Sequence, residues 1–318
     1  MAILGGCNGG PQEAKEVTIY CGVDEPYAGK IFAEFERQTG IHVNALYDVE
    51  SSKSVGLSEK IRAERDHPQA DVWWGSEAFL TVRMAEDGVL SEYRPPNAAD
   101  VRPEYKDEQG FWTGVGLRAR VLAIGDPPPP FPVKSILDLT DPRLKGKFTI
   151  SRPTAGATGA QVAALYVFWG PEKARDYFRQ LHDNGCVMVG GNAVVADQVG
   201  AGSFAVGLTD SDDVANTAAN GVKITAVVPD QDTFGTLAMP TTVALVKGAH
   251  HAEAAKRLID YLVSNHVEQQ LITMNFARWS VRGTGPPLKA MPVDYHAAAK
   301  IYGQAQREAI AILEGHGP

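Results

Sequence analysis

Cysteine, long apolar runs and positive charge are all scarce in this chain. Three cysteines (Cys7, Cys21 and Cys186) occur in 318 residues. They lack metal-ligand spacing, and their odd number leaves at least one outside any disulfide. No apolar run approaches the length of a membrane-spanning helix. Thirty lysines and arginines face 38 aspartates and glutamates, a net charge of −8. That balance argues against nucleic acid as a partner and against polybasic attachment to a membrane. Catalytic signatures are equally thin. There is no Gly-x-Ser-x-Gly elbow, and the adjacent pair His250-His251 is not at zinc spacing. Cys21, with no evident histidine partner, is a poor nucleophile. A binding protein is expected rather than an enzyme.

What is present suits a folded, water-soluble chain: 44% hydrophobic and 21% charged residues. The length suggests two domains or lobes. Leu4-Gly5-Gly6-Cys7 reads as a lipoprotein-type signal, with Cys7 the lipidated residue, although the charged and apolar parts of a signal peptide are missing upstream. The competing reading is a plain glycine-rich leader. In either case residues 1–16 are a leader and tether.

Apolar strands then alternate with amphipathic helices. Residues 17–22 form a compact strand ending in glycine, and Pro26 is placed to open a helix. That helix runs over 27–39 with Ile31, Phe32 and Phe35 on one face, and Gly40 closes it. A strand over 41–46, a helix over 54–65 and a strand over 70–74 follow. Repeated units of this kind predict a mainly parallel sheet with right-handed crossovers. Beyond a proline- and acid-rich loop at 93–110, residues 115–124 read as one long strand. New units begin at Lys147, with helices over 160–169 and 171–184 and a strand over 203–208. Further strands are expected at 223–228 and 242–246, and helices at 252–262, 267–274 and 295–313.

Polar loops recur at the carboxyl ends of these strands, the edge where open α/β sheets bind ligands. They are Gly22-Val23-Asp24-Glu25, Gly75-Ser76-Glu77, the stretch 152–159 and Asp210-Ser211-Asp212-Asp213. Four such loops outline a cleft between two lobes. The stretch 152–159 is the clearest anion signal. Gly156 and Gly159 let backbone N–H groups converge, the next helix adds its dipole, and Thr154 and Thr158 add hydroxyls. A plain structural turn is the competing reading. Asn192, after Gly190-Gly191, either donates an amide to the same group or caps a helix. The acidic cluster repels itself unless a cation, an ammonium group or hydrogen-bond donors compensate it; a helix cap accounts for one member only. Arg118 and Arg120 share one face of a strand and need partners, either acids or a bound anion. Of Trp73-Trp74, one is expected in the core and one on the cleft wall. Lys53 faces either the cleft or water.

Several segments, in this order, resemble the ferric-ion branch of bacterial solute-binding proteins, which deliver ligands to ABC importers. They are Tyr20-Cys21-Gly22, Phe35-Glu36 with Thr39-Gly40-Ile41-His42-Val43, Ala70-Asp71-Val72-Trp73-Trp74, Lys145-Gly146-Lys147 and the late helix around Leu258-Ile259-Asp260-Tyr261-Leu262. The resemblance runs from about Val17 to the last helix. It implies an α/β, two-lobed periplasmic-binding-protein type 2 fold, each lobe a mainly parallel sheet flanked by helices, with a two-strand hinge that closes on ligand. Residues 17–117 with 241–290 would form one lobe, and 118–240 with 291–318 the other. With the loop reading, it gives a ligand set of Asp24, Glu25, Ser76, Glu77, Arg118, Thr154, Gly156, Ala157, Thr158, Asn192, Asp210, Ser211 and Asp212. Asp24, Glu77, Asp210 and Asp212 would hold a metal if the ligand is one. No catalytic residue and no resident cofactor is implied; Fe(III) or another cation would be cargo. The expected partners are permease and ATPase subunits. The chain would act as a monomer in the periplasm or at the outer face of the cell membrane, attached only through lipid on Cys7.

One position departs from that branch. Iron-binding relatives typically carry adjacent tyrosines just after the strand that here ends in Asp210-Ser211-Asp212-Asp213. Carboxylates are hard oxygen ligands for Fe(III), Ca(II) or Mn(II), and they also bind ammonium groups. Facing an anion loop, they match a zwitterion such as an aminoalkylphosphonate. A ferric ion with a synergistic anion and a small phosphonate-, phosphate- or amine-bearing solute therefore both stand. From other classes stand a metal-dependent hydrolase of phosphoesters or phosphonates and a sensor that presents its ligand to a membrane receptor.

Overall fold

The structure, a computed structural model, describes residues 15–48 and 54–317. Cys7 and Lys53 lie outside the described residues. Strand β1 (Glu16–Cys21) leads through helix α1 (Glu25–Thr39) to β2 (His42–Tyr47), and β1 and β2 pair in parallel. Helix α1 buries Ala28, Ile31, Phe32 and Phe35, and each large side chain so covered contributes about 1.5–3 kcal/mol. Its end is set by Gly40, left-handed at φ 71°, whose N–H donates to the Glu36 carbonyl at 2.8 Å. Helix α2 (Val55–Ala63), β3 (Val72–Gly75), α3 (Ala78–Glu86) and the short β4 (Leu90–Ser91) follow.

The long β5 (Thr113–Ile124) carries the chain into a second set of elements. These are β6 (Phe148–Ser151), α4 (Gly156–Trp169), α5 (Pro171–Asp183), β7 (Val187–Val189), α6 (Asn192–Gly200), β8 (Val206–Asp210), α7 (Ser211–Ala219) and β9 (Thr225–Val227). Strand β10 (Ala238–Val246) returns, and α8 (Ala252–Leu262), α9 (Asn265–Thr273) and α10 (Tyr295–Leu313) complete the fold.

The strand order is β2-β1-β3-β10-β5-β8-β6-β7, with β4 on β10 and β9 on β5. Pairing is parallel on both flanks and antiparallel in the middle, where β10 meets β3 and β5, and β5 meets β8. Strand β5 is shared along its length: Thr113 to Ala119 pair with β10, and Arg120 to Ile124 with β8. Within the part paired with β10 the register slips at Pro240/Thr241, opposite Gly116. Gly116 has φ 61°, and an added Cβ would lie 2.8 Å from that of Ala277. A glycine bulge thus sits a few residues before β5 changes partner from β10 to β8.

Each half has its own apolar core. One gathers α1, β1, Trp74, α8 and α9; the other gathers β6, α4, α5 and α10. Phe79 and Leu80 of α3 join the second core, and the Phe79 ring lies 5.3 Å from Tyr295 and 6.4 Å from Tyr302 of α10. Two sequence expectations change here. Trp73 and Trp74 are both fully buried, each indole N–H donating to a threonine (Thr81 at 2.7 Å, Thr241 at 3.1 Å), so neither forms a cleft wall. Helix α4 starts at Gly156 rather than near residue 160, so Ala157, Thr158 and Gly159 belong to its first turn. Gly159 serves packing, since a Cβ there would meet Gln306 and Tyr302 of α10.

Candidate functional site

The acidic cluster straddles the end of β8 and the start of α7, with Asp210 the last strand residue and Asp212 and Asp213 in the first helical turn. Asp210 and Asp212 are buried and Asp213 is half-buried. Their compensation comes from within the protein. Arg120, wholly buried, donates to Asp210 Oδ1 at 2.8 Å, Asn192 Oδ1 at 2.8 Å, Gln161 Oε1 at 2.9 Å and the Leu208 carbonyl at 3.1 Å. Arg118 donates to Asp212 Oδ2 at 3.3 Å and to the Ser76 carbonyl at 2.6 Å, with Asp210 Oδ2 at 3.6 Å. Its guanidinium also lies over the Phe276 ring, 5.1 Å from the centroid. Burial alone would lower the pKa of Arg118, but the carboxylates of Asp212, Asp210, Asp213 and Asp24 outweigh it and hold the group above its ordinary value. Ser211 turns inward, its hydroxyl accepting from the Ala119 N–H at 3.2 Å.

Opposite the acids stand the starts of α4 and α6. Gly156, at φ 56°, turns the chain into α4, and a Cβ there would meet nothing within 4 Å. Ala155 precedes it and offers no side-chain cap, so the first N–H groups of α4 are open to a ligand. Thr158 donates to Asn192 Oδ1 at 2.9 Å. With Arg120 on the same oxygen, this fixes the Asn192 amide, whose NH₂ group turns to Asp210 Oδ2 at 3.3 Å. The space between is a cavity of about 40 Å³ lined by Ser76, Arg118, Ser151, Arg152, Thr154, Ala155, Gly156, Ala157, Gly190, Gly191, Asn192, Asp210, Asp212 and Asp213. At roughly 10–15 Å³ of such space per water, it admits about three water-sized centres. That fits one compact head group.

The remaining expected residues fall elsewhere. Glu77 is fully buried, and its carboxylate caps α3 by accepting from the Phe79 N–H at 2.5 Å and the Leu80 N–H at 3.1 Å. Burial pushes its pKa up to about 7, against the pull of those donors and of Arg118. It is a helix cap beneath the cavity, not a group that reaches into it. Asp24 precedes α1 and is near enough to act on Arg118, while Glu25 is exposed in the first turn of α1. Among the described residues, the cavity is lined without either, and also without the side chain of Thr158, which is turned to Asn192. Two residues had no place in the expected set: Gln161 and Phe276. Gln161 and Phe276 reach the arginines only through the tertiary fold.

Over residues 17–272 the sequence matches the profile of the bacterial extracellular solute-binding proteins. The chain belongs to that family. This solute-binding protein is similar to the iron uptake protein A1 of Synechocystis, 27% identical over 278 residues that cover 84% of this chain and 76% of that one. It is also similar to a putative 2-aminoethylphosphonate-binding periplasmic protein of Salmonella typhimurium, 26% identical over 89% of this chain and 78% of that one. Among solved structures, the periplasmic binding protein AfuA of Actinobacillus pleuropneumoniae, with fructose-6-phosphate bound, superposes with a TM-score of 0.81 at 23% identity, covering 95% of this chain and 99% of that one. The fold is thus the type 2 periplasmic-binding-protein fold. Proteins of this family are binding components of ABC importers and not enzymes, and they work with permease and ATPase subunits. Among the described residues, no helix is long and apolar enough to cross a membrane.

Proposed function

We propose that this solute-binding protein captures a small zwitterion, a phosphonate or phosphate that also bears an amine, and presents it to its importer. The reading rests on the charge arrangement around the cavity. Three carboxylates (Asp210, Asp212, Asp213) meet two buried guanidiniums (Arg118, Arg120), which leaves one negative charge on that wall for a ligand ammonium. The facing wall presents the uncapped start of α4 at Gly156 and Ala157, the turn at Gly190 and Gly191, and Thr154, all suited to an anion, while Arg152 beside them is paired with Glu314. The cavity has room for one compact head group such as a phosphonate. The lobes, 17–117 with 241–290 and 118–240 with 291–318, would close over it through β5 and β10, and lipid on Cys7 would hold the protein at the membrane surface.

Iron with a synergistic anion is the second reading, favoured by one observation. Oxygens of Asp210, Asp212 and Asp213 lie within 4.8 Å of one another. Against it, Asp210 already serves both arginines, Glu77 is committed to α3, and no tyrosine is among the described residues that line the cavity. A cation of charge three beside two guanidiniums would be repelled by both. Native mass spectrometry with elemental analysis of the protein as purified separates the two. A phosphorus-bearing organic adduct without metal is expected; stoichiometric iron would overturn the zwitterion reading.

A further inference from the structure

We infer that Tyr27 and Asn216, neither of which lines the cavity, form a latch that holds the two halves of the protein together and sets how long a solute stays bound. Tyr27 lies in the first turn of α1, and its ring packs on Phe276 in the first core, 4.9 Å between centroids. Asn216 lies on α7, whose Val214 packs in the apolar cluster under the β5–β8–β9 side of the sheet. The Asn216 amide donates to the Tyr27 hydroxyl oxygen at 2.5 Å, joining residues 189 apart in sequence. Other hydrogen bonds between the halves run from Arg118 on the shared strand β5 to the Ser76 carbonyl, from Lys289 to Gln231 and Thr233, and between Glu86 of α3 and His296 of α10 at 2.9 Å. The Tyr27–Asn216 bond joins the first turn of one helix to the second turn of another, off the shared strands.

The chemistry of the pair suits a latch. Both groups are neutral and half-buried, so breaking their bond exposes no charge. Burial, with Asp212, Asp24 and Asp213 nearby, holds the Tyr27 phenol above its ordinary pKa despite the Asn216 bond, so it keeps its proton across physiological pH. A neutral hydrogen bond of this kind biases an equilibrium by roughly twofold to tenfold. That is enough to favour closure and too little to lock it.

The inference rests on lobe closure in this family but not on the solute named above, and the test keeps the two apart. Small-angle X-ray scattering of the full chain without ligand is compared for the parent protein, Tyr27→Phe, Asn216→Ala and the double variant. Each single variant is expected to raise the open-to-closed ratio about twofold to tenfold, seen as a larger radius of gyration, and the double variant to add nothing further because both remove one bond. Tyr27→Phe keeps the ring on Phe276, so its melting temperature should match the parent. With 2-aminoethylphosphonate as probe, dissociation should quicken by a similar factor while association stays within about twofold. A scattering curve unmoved by either variant, or a double variant whose effect is the sum of the singles, overturns the latch. If scattering shifts as expected but the probe fails to bind, the latch stands and the zwitterion assignment falls.

Discussion

Replacing Asp210 by asparagine tests whether this residue is a counter-ion or a ligand. Arg120 is wholly buried, and Asp210 is the one acid paired with it among the described residues, at 2.8 Å. Its other partners, Gln161, Asn192 and the Leu208 carbonyl, are neutral. Asp210→Asn keeps the shape and one acceptor oxygen but leaves a buried guanidinium without charge compensation. Breaking a buried pair in this way costs about 3–5 kcal/mol, in line with an attraction of about 4 kcal/mol for unit charges about 4 Å apart at an effective dielectric near 20. At about 2.1 cal/mol/K of unfolding entropy per residue over 318 residues, that lowers the melting temperature by about 4–8 °C. Differential scanning calorimetry on Asp210→Asn, Arg120→Met and the double variant gives the coupling, expected to exceed about 2 kcal/mol. Binding should weaken as well, because Asn192 loses an acceptor. If Asp210→Asn melts within about 1 °C of the parent yet no longer binds any solute, Asp210 is a ligand and the counter-ion argument is wrong.

Other consequences follow from the same geometry. Glu77 keeps its proton up to about pH 7, whereas an unfolded glutamate loses it near 4.5. The folded state therefore holds the extra proton between those values, and stability should fall as pH rises through that window, by up to about 3 kcal/mol at about 1.4 kcal/mol per pH unit. Glu77→Gln should flatten the slope in urea titrations at pH 5 and pH 8; an unchanged slope would refute the assignment. Gly156→Ala places a side chain in the left-handed region, at a cost of about 1–2 kcal/mol, and a methyl beside the anion wall. Calorimetric titration should show affinity down by more than tenfold, and unchanged affinity would exclude Gly156 from the site. Glu268 is fully buried and accepts from the Gly116 N–H at 3.0 Å, the Val281 N–H at 2.7 Å, Ser280 at 2.6 Å and Arg282 at 2.8 Å. Glu268→Ala should destabilise by about 3–5 kcal/mol, and a loss under 1 kcal/mol in denaturant titration would contradict that role.

The fold was legible because its signals are local. Pro26 and Gly40 bracket α1, Ile31, Phe32 and Phe35 mark its buried face, and the apolar run ending at Leu208 marks β8, which extends two residues further to Asp210. The site was legible only as loops. Sequence places Asp210, Gly156 and Asn192 at one sheet edge, but not the direction in which each side chain is drawn. Two arginines two residues apart on β5 took up two of the acids, and that pairing spans 90 or more positions. Glu77 illustrates the limit well. A glutamate after Gly75-Ser76 reads equally as a cleft ligand or as a cap, and only the position of the Phe79 and Leu80 N–H groups decides for the cap. The expected tryptophan wall failed for a similar reason, since threonines on α3 and β10, one of them 167 positions away in sequence, satisfy both indoles inside the sheet's two faces.

The central claim is that the cavity takes a zwitterion through an acid wall already balanced by Arg118 and Arg120. Isothermal titration calorimetry of the unfolded, dialysed and refolded protein measures it most directly, with 2-aminoethylphosphonate and ferric citrate titrated in parallel. Saturable one-to-one binding of the phosphonate, weakened at least tenfold in Arg118→Met, with no heat from ferric citrate, is the predicted result. Tight one-to-one binding of iron with no response to the phosphonate would contradict it.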